Sequence, residues 1–204
     1  MEKILIFIKH HIYFLWKMIE GVNAIVFFMI YKSKLDKVLT TVFDKNSLQP
    51  FYYRKLTLSD ADSLHNLIKM QNPSDLEYFH PHDFDIVSIR KQLKNCSFLM
   101  MGTFDKEKII GYFFLRFFIN RQCFVGRLID KEYRGKGIGT VMNDILYKTA
   151  WSMNFRCLST ISRDNIAVMR AHAKNPAYKV IKELNNNYML VEFVIEDMKS
   201  TKKH

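Results

Sequence analysis

Cysteine is scarce in this chain of 204 residues. The three present, Cys96, Cys123 and Cys157, are odd in number, far apart and set in apolar stretches. That pattern argues against a disulfide scaffold and for free, buried thiols in a reducing, cytoplasmic compartment. No C-x-x-C pair occurs, and His10 and His11 are adjacent and so do not share a helix face as metal ligands usually do; no metal site is expected. Long hydrophobic runs are missing too: the longest, Ala24 to Tyr31, is too short to span a bilayer. Acidic residues are outnumbered, with 20 Asp and Glu against 31 Lys and Arg, leaving a formal net charge of +11. A surface of that sign favours anionic partners such as phosphate-bearing small molecules, nucleic acid or anionic lipid, and charge alone does not choose among them. No internal repeat is visible.

What is present suits a packed core. Hydrophobic residues make up 49% of the chain and aromatic residues 14%, enough for one domain of roughly 150 residues plus an added segment. The added segment comes first. Residues 4 to 31 are rich in Ile, Phe, Leu, Val and Met, and Ile4, Ile8, Ile12, Leu15 and Ile19 recur at helical spacing, with Lys3, Lys9, His10, Lys17 and Glu20 mostly on the opposite arc. Lys32, Lys34 and Lys37 follow. Three readings stand open: a secretory signal, which would need a small-residue cleavage site that is not found; a helix lying on the inner face of a membrane, as the apolar face, Trp16 and flanking lysines allow; or a helical hairpin packed on its own domain or on a second subunit. The division expected is a helical segment over 1–46, a catalytic-sized domain over 47–198 and a basic tail over 199–204, with Asp44 to Pro50 as the linker.

Within the main domain, Phe51 to Leu58 reads as a strand. Ser59 or Asp60 caps a helix that runs to about Met70, and Asn72-Pro73-Ser74 breaks it. Ile86 to Leu93 is a second short helix. Ser97 to Phe104 and Lys108 to Phe118 form a hairpin through Asp105-Lys106-Glu107. Gln122 to Asp130 is a strand, Gly137 to Met153 a helix, Arg156 to Ile161 a strand and Asn165 to Lys174 a helix. Tyr178 to Leu184 and Tyr188 to Ile195 are strands joined through Asn185-Asn186-Asn187. The order is β-α-α-β-β-β-α-β-α-β-β, a mixed α/β plan.

The informative segment is Phe124 to Asn143, where a strand runs through Arg134-Gly135-Lys136-Gly137-Ile138-Gly139 into a helix. A helix start offers free N–H groups and partial positive charge, and glycines let those groups close around phosphate oxygens. Arg134 and Lys136 add cationic donors. The run is not a P-loop, and its G-x-G-x-G spacing is not the dinucleotide fingerprint. It does match R-x-x-G-x-G and resembles the acetyl-CoA loop of the GNAT (N-acetyltransferase) superfamily. Ile129 holds the hydrophobic place five positions before the arginine. Downstream, Asn165 opens a helix, with His172 seven residues on and Lys174 nine, similar to the family's next signature. The resemblance covers residues 51 to 196. It departs from the family at Asn175-Pro176-Ala177-Tyr178, where a Gly-aromatic pair is common, and at Lys131, where a proline is common.

The resemblance implies a GNAT-like mixed central sheet and an acyl-CoA-dependent N-acyltransferase. An amine acceptor would attack the thioester of acetyl-CoA directly. The pyrophosphate would sit on Arg134, Gly135, Lys136, Gly137, Ile138, Gly139 and Thr140, and pantetheine would pair with backbone at Leu128, Ile129 and Asp130. An N–H near Ile129 would stabilise the oxyanion. His172 stands where the family usually places a tyrosine and would protonate the leaving thiolate, with Tyr178 as fallback. Asn165 would bond pantetheine or position its helix, and Lys174 would neutralise a CoA phosphate. The stretch Tyr78 to Phe84 falls where the family builds its acceptor site, so His80, His82 and Asp83 are candidate acceptor contacts, and the run loosely resembles acyltransferases of surface-polysaccharide pathways. The acceptor stays open among an amino sugar, an amino acid, a polyamine and a protein amine, with a small amino sugar favoured; no general base is visible. Rival classes are a nucleic-acid binder, for which no recognition helix appears, and a non-catalytic acyl-CoA-binding scaffold of the same fold.

Overall fold

The computed structural model describes residues 13–173 and 175–195. A long helix, α1 (Tyr13–Lys45), is followed by β1 (Tyr52–Lys55), a 3-10 turn (Leu58–Asp60), α2 (Ala61–Lys69), α3 (Pro73–Leu76) and α4 (Ile86–Leu93). Then come β2 (Phe98–Asp105), β3 (Lys108–Phe117), β4 (Gln122–Ile129), α5 (Ile138–Ser152), β5 (Arg156–Ser162), α6 (Ile166–Ala173), β6 (Tyr178–Glu183) and β7 (Tyr188–Phe193). The sheet order is β1-β2-β3-β4-β5-β7-β6. Every neighbouring pair is antiparallel except β4–β5. This is the GNAT-like mixed sheet expected from the sequence.

Local chemistry accounts for the boundaries. Asp85 accepts hydrogen bonds from the amides of Val87 and Ser88 and so starts α4. Asn165 starts α6 the same way, its Oδ1 accepting from Val168 N at 3.1 Å. Asp60 closes the turn before α2 by accepting from Thr57 N at 2.7 Å and pairing with Arg54, and that guanidinium holds its carboxyl down at about 2. The break at Asn72-Pro73 ends α2, but Pro73 also begins a further helical turn, α3, because its fixed φ and missing N–H suit a first helical position.

The sheet buries both faces. One face carries the larger core, with Met101, Phe113, Leu115 and Phe117 of the sheet against Met142, Ile145 and Leu146 of α5. The other packs Phe98, Met100, Tyr112 and Phe114 against Leu64, Leu67 and Ile68 of α2 and Ile89 of α4. Cys123 and Cys157 face each other in the β4–β5 register, buried and free, and Cys96 is half-buried and free.

Of the three readings left open, the packed hairpin differs from what is seen of the N-terminal segment. Among the described residues it is one continuous helix, because nothing between Tyr13 and Lys45 supplies a turn stronger than the lone Gly21. Phe27, Leu35, Leu39 and Val42 are buried in the larger core. Phe27 stacks on Phe117 at 4.7 Å between centroids, and Tyr31 meets Phe155 edge-on at 5.1 Å. Asn23 donates to the Phe117 carbonyl and accepts from Ile119 N, Glu20 pairs with Arg116, and Lys148 of α5 donates to Asn46 at 2.7 Å. Of the residues expected on the inward face, Ile19 is half-buried, and Ile4, Ile8, Ile12 and the side chain of Leu15 lie outside the described residues. No helix among the described residues is long and apolar enough to cross a membrane.

Candidate functional site

The site begins with a short ladder. Strands β4 and β5 pair only Gln122, Cys123 and Phe124 with Arg156, Cys157 and Leu158. Beyond that point β4 continues to Ile129 and β5 to Ser162 as diverging arms. Ser159 Oγ donates to the Val125 carbonyl at 3.2 Å where the arms separate. Among the described residues the backbone groups of β4 that face β5 past this point have no sheet partner, and buried polar backbone demands one. A ligand with amide groups of its own can supply it.

Two cavities fill the fork. The smaller, about 140 Å³, reaches toward α5 and α6 and is lined by Arg127, Asn143, Tyr147, Asn165 and His172 among others. The larger, about 500 Å³, opens toward the loop after α3 and is lined by Glu77, Phe114, Arg116, Phe118, Phe124 and Tyr188. Tyr78, Phe79, Val125, Gly126, Ser159 and Thr160 line both, so the two form one cleft. Gly126 is required there: a Cβ on it would stand 2.7 Å from the Phe114 ring and 3.3 Å from that of Phe79.

At the end of β4 the chain turns into α5 through the glycine loop. Gly135 and Gly137 take left-handed φ values of +77° and +81°, conformations in which a side chain is strained. Gly135, Lys136 and Gly137 are exposed. Among the described residues no acceptor is bonded to the amides from Gly135 to Gly139, whereas Thr140 N is tied back to the Gly137 carbonyl at 3.1 Å. The loop is therefore an open cluster of N–H groups at the positive end of a fifteen-residue helix. Ile138 itself points into the core. Arg134 crosses back, donating to the Ile129 carbonyl at 3.2 Å and to Asp75 at 2.9 Å, and Lys136 lies over the Tyr133 ring. Asp130 accepts from Glu132 N and faces Lys108. Leu128 is buried against the second core and Ile129 is half-buried.

His172 comes from α6 into the smaller cavity. It is 8% exposed, stacked on Tyr178 at 5.3 Å and close to Phe193. Its Nδ1 is buried with no hydrogen-bond partner among the described residues. Burial, reinforced by the nearby Arg127 guanidinium, lowers its pKa from 6.5 to about 4. At neutral pH the imidazole is uncharged, so any hydrogen bond it donates is that of a neutral N–H rather than of the imidazolium the sequence suggested. Tyr178 is not among the cleft residues; its hydroxyl is directed at Met189 Sδ, 3.2 Å away. Lys174 lies outside the described residues.

Sequence reasoning missed Arg127. Its Nε donates to Asn143 Oδ1 at 2.8 Å, and among the described residues no carboxylate pairs with it. Burial lowers its pKa. A guanidinium that close to the start of α5, within 3.4 Å of where a Cβ on Gly139 would stand, is positioned for an anionic or carbonyl oxygen in the cleft. In sequence it was hidden as one basic residue among many in a basic chain.

The loop from Tyr78 to Phe84 is partly committed to its own structure. His82 has both ring nitrogens within hydrogen-bond reach of protein oxygens, the Asp83 carbonyl at 2.7 Å and the Tyr112 hydroxyl at 3.0 Å. Its ring packs against Phe84 and Phe98, and burial lowers its pKa. His80 stacks on Phe84 and still lines the larger cavity. Asp83 is exposed and lies on the far side of the loop with Lys17 and Glu20. Glu77, which no motif signalled, is the carboxylate lining the larger cavity.

A family model described as Acetyltransferase (GNAT) family matches residues 62–175, more than half of the chain. No curated protein matches the sequence. Among solved structures, the chain is similar to PaiA N-acetyltransferase from Thermoplasma acidophilum in complex with coenzyme A, with 17% identity and a TM-score of 0.60 over 72% of this chain and 100% of that one. It is similar also to the ribosomal-protein-S5-alanine acetyltransferase from Vibrio fischeri, at 21% identity and TM-score 0.59 over 74% of this chain and 96% of that one. The GNAT domain of S. lividans PAT gives 11% identity and a TM-score of 0.63 over 71% and 90%. At these identities the likeness is one of fold.

Proposed function

Because this chain belongs to the acetyltransferase (GNAT) family, we propose that it transfers an acetyl group from acetyl-CoA to the primary amine of a small acceptor by direct attack. The observation that carries this reading is the fork between β4 and β5 with an open cluster of amides at its end. The pyrophosphate takes the amides of Gly135 to Gly139, where the helix start favours negative charge. Pantetheine amides take the β4 backbone groups that face the fork around Ile129, on the side away from the β3 ladder in which Leu128 is paired and from the Ile110 carbonyl to which Asp130 N is bonded. That places the thioester between β4 and His172, with a β4 N–H near Ile129 aimed at the developing oxyanion.

The amine nitrogen attacks the thioester carbon, a C–N bond forms, the C–S bond breaks, and the proton that the nitrogen loses on becoming an amide goes to the departing thiolate. Neutral His172 stabilises the departing sulfur by donating an N–H hydrogen bond. Burial, reinforced by Arg127, keeps the imidazole neutral, and Arg127 offers its remaining N–H groups to ligand oxygen. Glu77 attracts the acceptor's ammonium and takes its proton before attack. The rings of Tyr78, Phe79, Phe114, Phe118, Phe124 and Tyr188 offer flat faces on which a sugar ring packs, which favours a small amino sugar.

The test is release of free CoA thiol from acetyl-CoA with a panel of amino sugars, amino acids and polyamines. Turnover with an amino sugar, lost in Glu77→Gln, is the expected result. Binding of acetyl-CoA with no thiol release from any acceptor would overturn the enzyme reading in favour of a non-catalytic acyl-CoA-binding protein.

A further inference from the structure

The outer face of the first half of α1 is apolar where solvent should make it polar. Met18, Val22, Ile25, Phe28, Met29 and Ile30 are between 51% and 75% exposed. Met18, Val22, Ile25 and Met29 follow helical spacing, opposite the buried Phe27. The stripe ends abruptly: from Lys32 onward the outer face carries Ser33, Asp36, Lys37, Thr40 and Thr41. Its other border is the β3–β4 turn, where Ile119, 56% exposed, is held beside α1 by the Asn23 side chain. A contiguous exposed apolar patch on a soluble face marks an interaction surface.

Charge identifies the partner. From Lys17 to Leu35 the only acidic residue is Glu20, and it is turned inward onto Arg116. Lys17, Lys34 and the exposed Arg121 beside Ile119 border the patch, with Lys32 at its end paired to Asp36, on a chain of net charge +11. Two such surfaces brought together would juxtapose like charges, whereas an anionic bilayer matches both the apolar stripe and its basic rim. We infer that the outer face of α1, from Met18 to Ile30, together with Ile119, docks the protein flat on an anionic membrane surface.

The docked face adjoins the cleft. Arg116 and Phe118 line its larger cavity, and α1 touches that region through Glu20 and Asn23. Docking therefore sets the acceptor entrance close to the lipid headgroups, the situation of an amine carried on a lipid or concentrated at its surface.

The test is flotation of the full-length protein with phosphatidylcholine vesicles containing roughly a third phosphatidylglycerol, compared with phosphatidylcholine alone. The wild type is expected to float with the anionic vesicles and to be released by salt. An Ile25→Glu/Met29→Glu variant should lose binding by about tenfold or more, while Thr40→Glu, on the polar part of the same outer face, should not. Both positions are exposed, so an unchanged melting temperature shows the variant folded. Equal flotation of variant and wild type would overturn the inference. So would absence of vesicle binding together with a dimer, seen by sedimentation equilibrium, that the double variant abolishes; the partner would then be a second copy. Docking and catalysis fail separately, because thiol release from soluble acceptors does not require the vesicle.

Discussion

His172 titrates in a way that separates structure from chemistry. Its imidazole sits at about 4 in the folded protein against 6.5 ordinarily, a difference worth roughly 3 kcal/mol. The unfolded chain takes up this proton below about pH 6.5 and the folded chain only below about 4, so the unfolded state binds more protons in between. Stability contributed here is full above that window and falls as pH drops through it. Between about pH 7.5 and about pH 4.5 the loss attributable to this one group is about 2.5 kcal/mol. A His172→Phe variant keeps an aromatic ring against Tyr178 and Phe193 but carries no titrating nitrogen. Urea unfolding of both proteins at the two pH values isolates the term: the wild type should lose about 2.5 kcal/mol more than the variant, since buried His82 and every other group are common to both. The same neutrality has a kinetic signature. In the wild type the acidic limb of kcat belongs to groups other than His172 wherever it lies above about pH 5. Equal losses in the two proteins, or a His172 resonance that titrates near its ordinary value, would refute the argument that burial beside Arg127 holds the ring uncharged.

Arg127→Met should move the His172 titration upward, though not fully to its ordinary value because burial is the larger cause, and should leave stability unchanged or raised, since a desolvated cation with no carboxylate partner among the described residues is being removed; NMR titration and urea unfolding check both. Gly137→Ala places a side chain at φ +81° and should cost about 1 kcal/mol or more, with CoA affinity by calorimetry falling alongside; unchanged affinity would place the diphosphate elsewhere. Phe27→Ala empties a ring position 1% exposed beneath α1 and should cost about 3–5 kcal/mol in urea unfolding.

Much of this was legible in the sequence for identifiable reasons. The strands of the main domain are short, apolar and bounded by polar turns, and α4 and α5 begin at residues whose chemistry starts helices, so Ile86–Leu93 and Ile138–Ser152 fall where periodicity puts them. The amide cluster at Gly135–Gly139 was legible because glycine spacing is a backbone signal. What stayed hidden depends on side chains meeting across the fold. The pairing of His82 with Tyr112 spans thirty residues, so a histidine that looks free in the loop is held fast. Nothing local announces that Arg127 has no carboxylate partner among the described residues, or that Glu77 reaches the fork. The N-terminal helix was ambiguous for a different reason: residues 18 to 30 are apolar on both faces, so periodicity could not say which face the domain covers.

The long first helix touches both arms of the divided sheet. Through Phe27 it grips Phe117, at the end of the antiparallel half, and through Tyr31 it grips Phe155, at the entry to β5. It works as a splint across a fracture. The aperture between β4 and β5 is thus braced from behind, by aromatic side chains that line neither of its cavities.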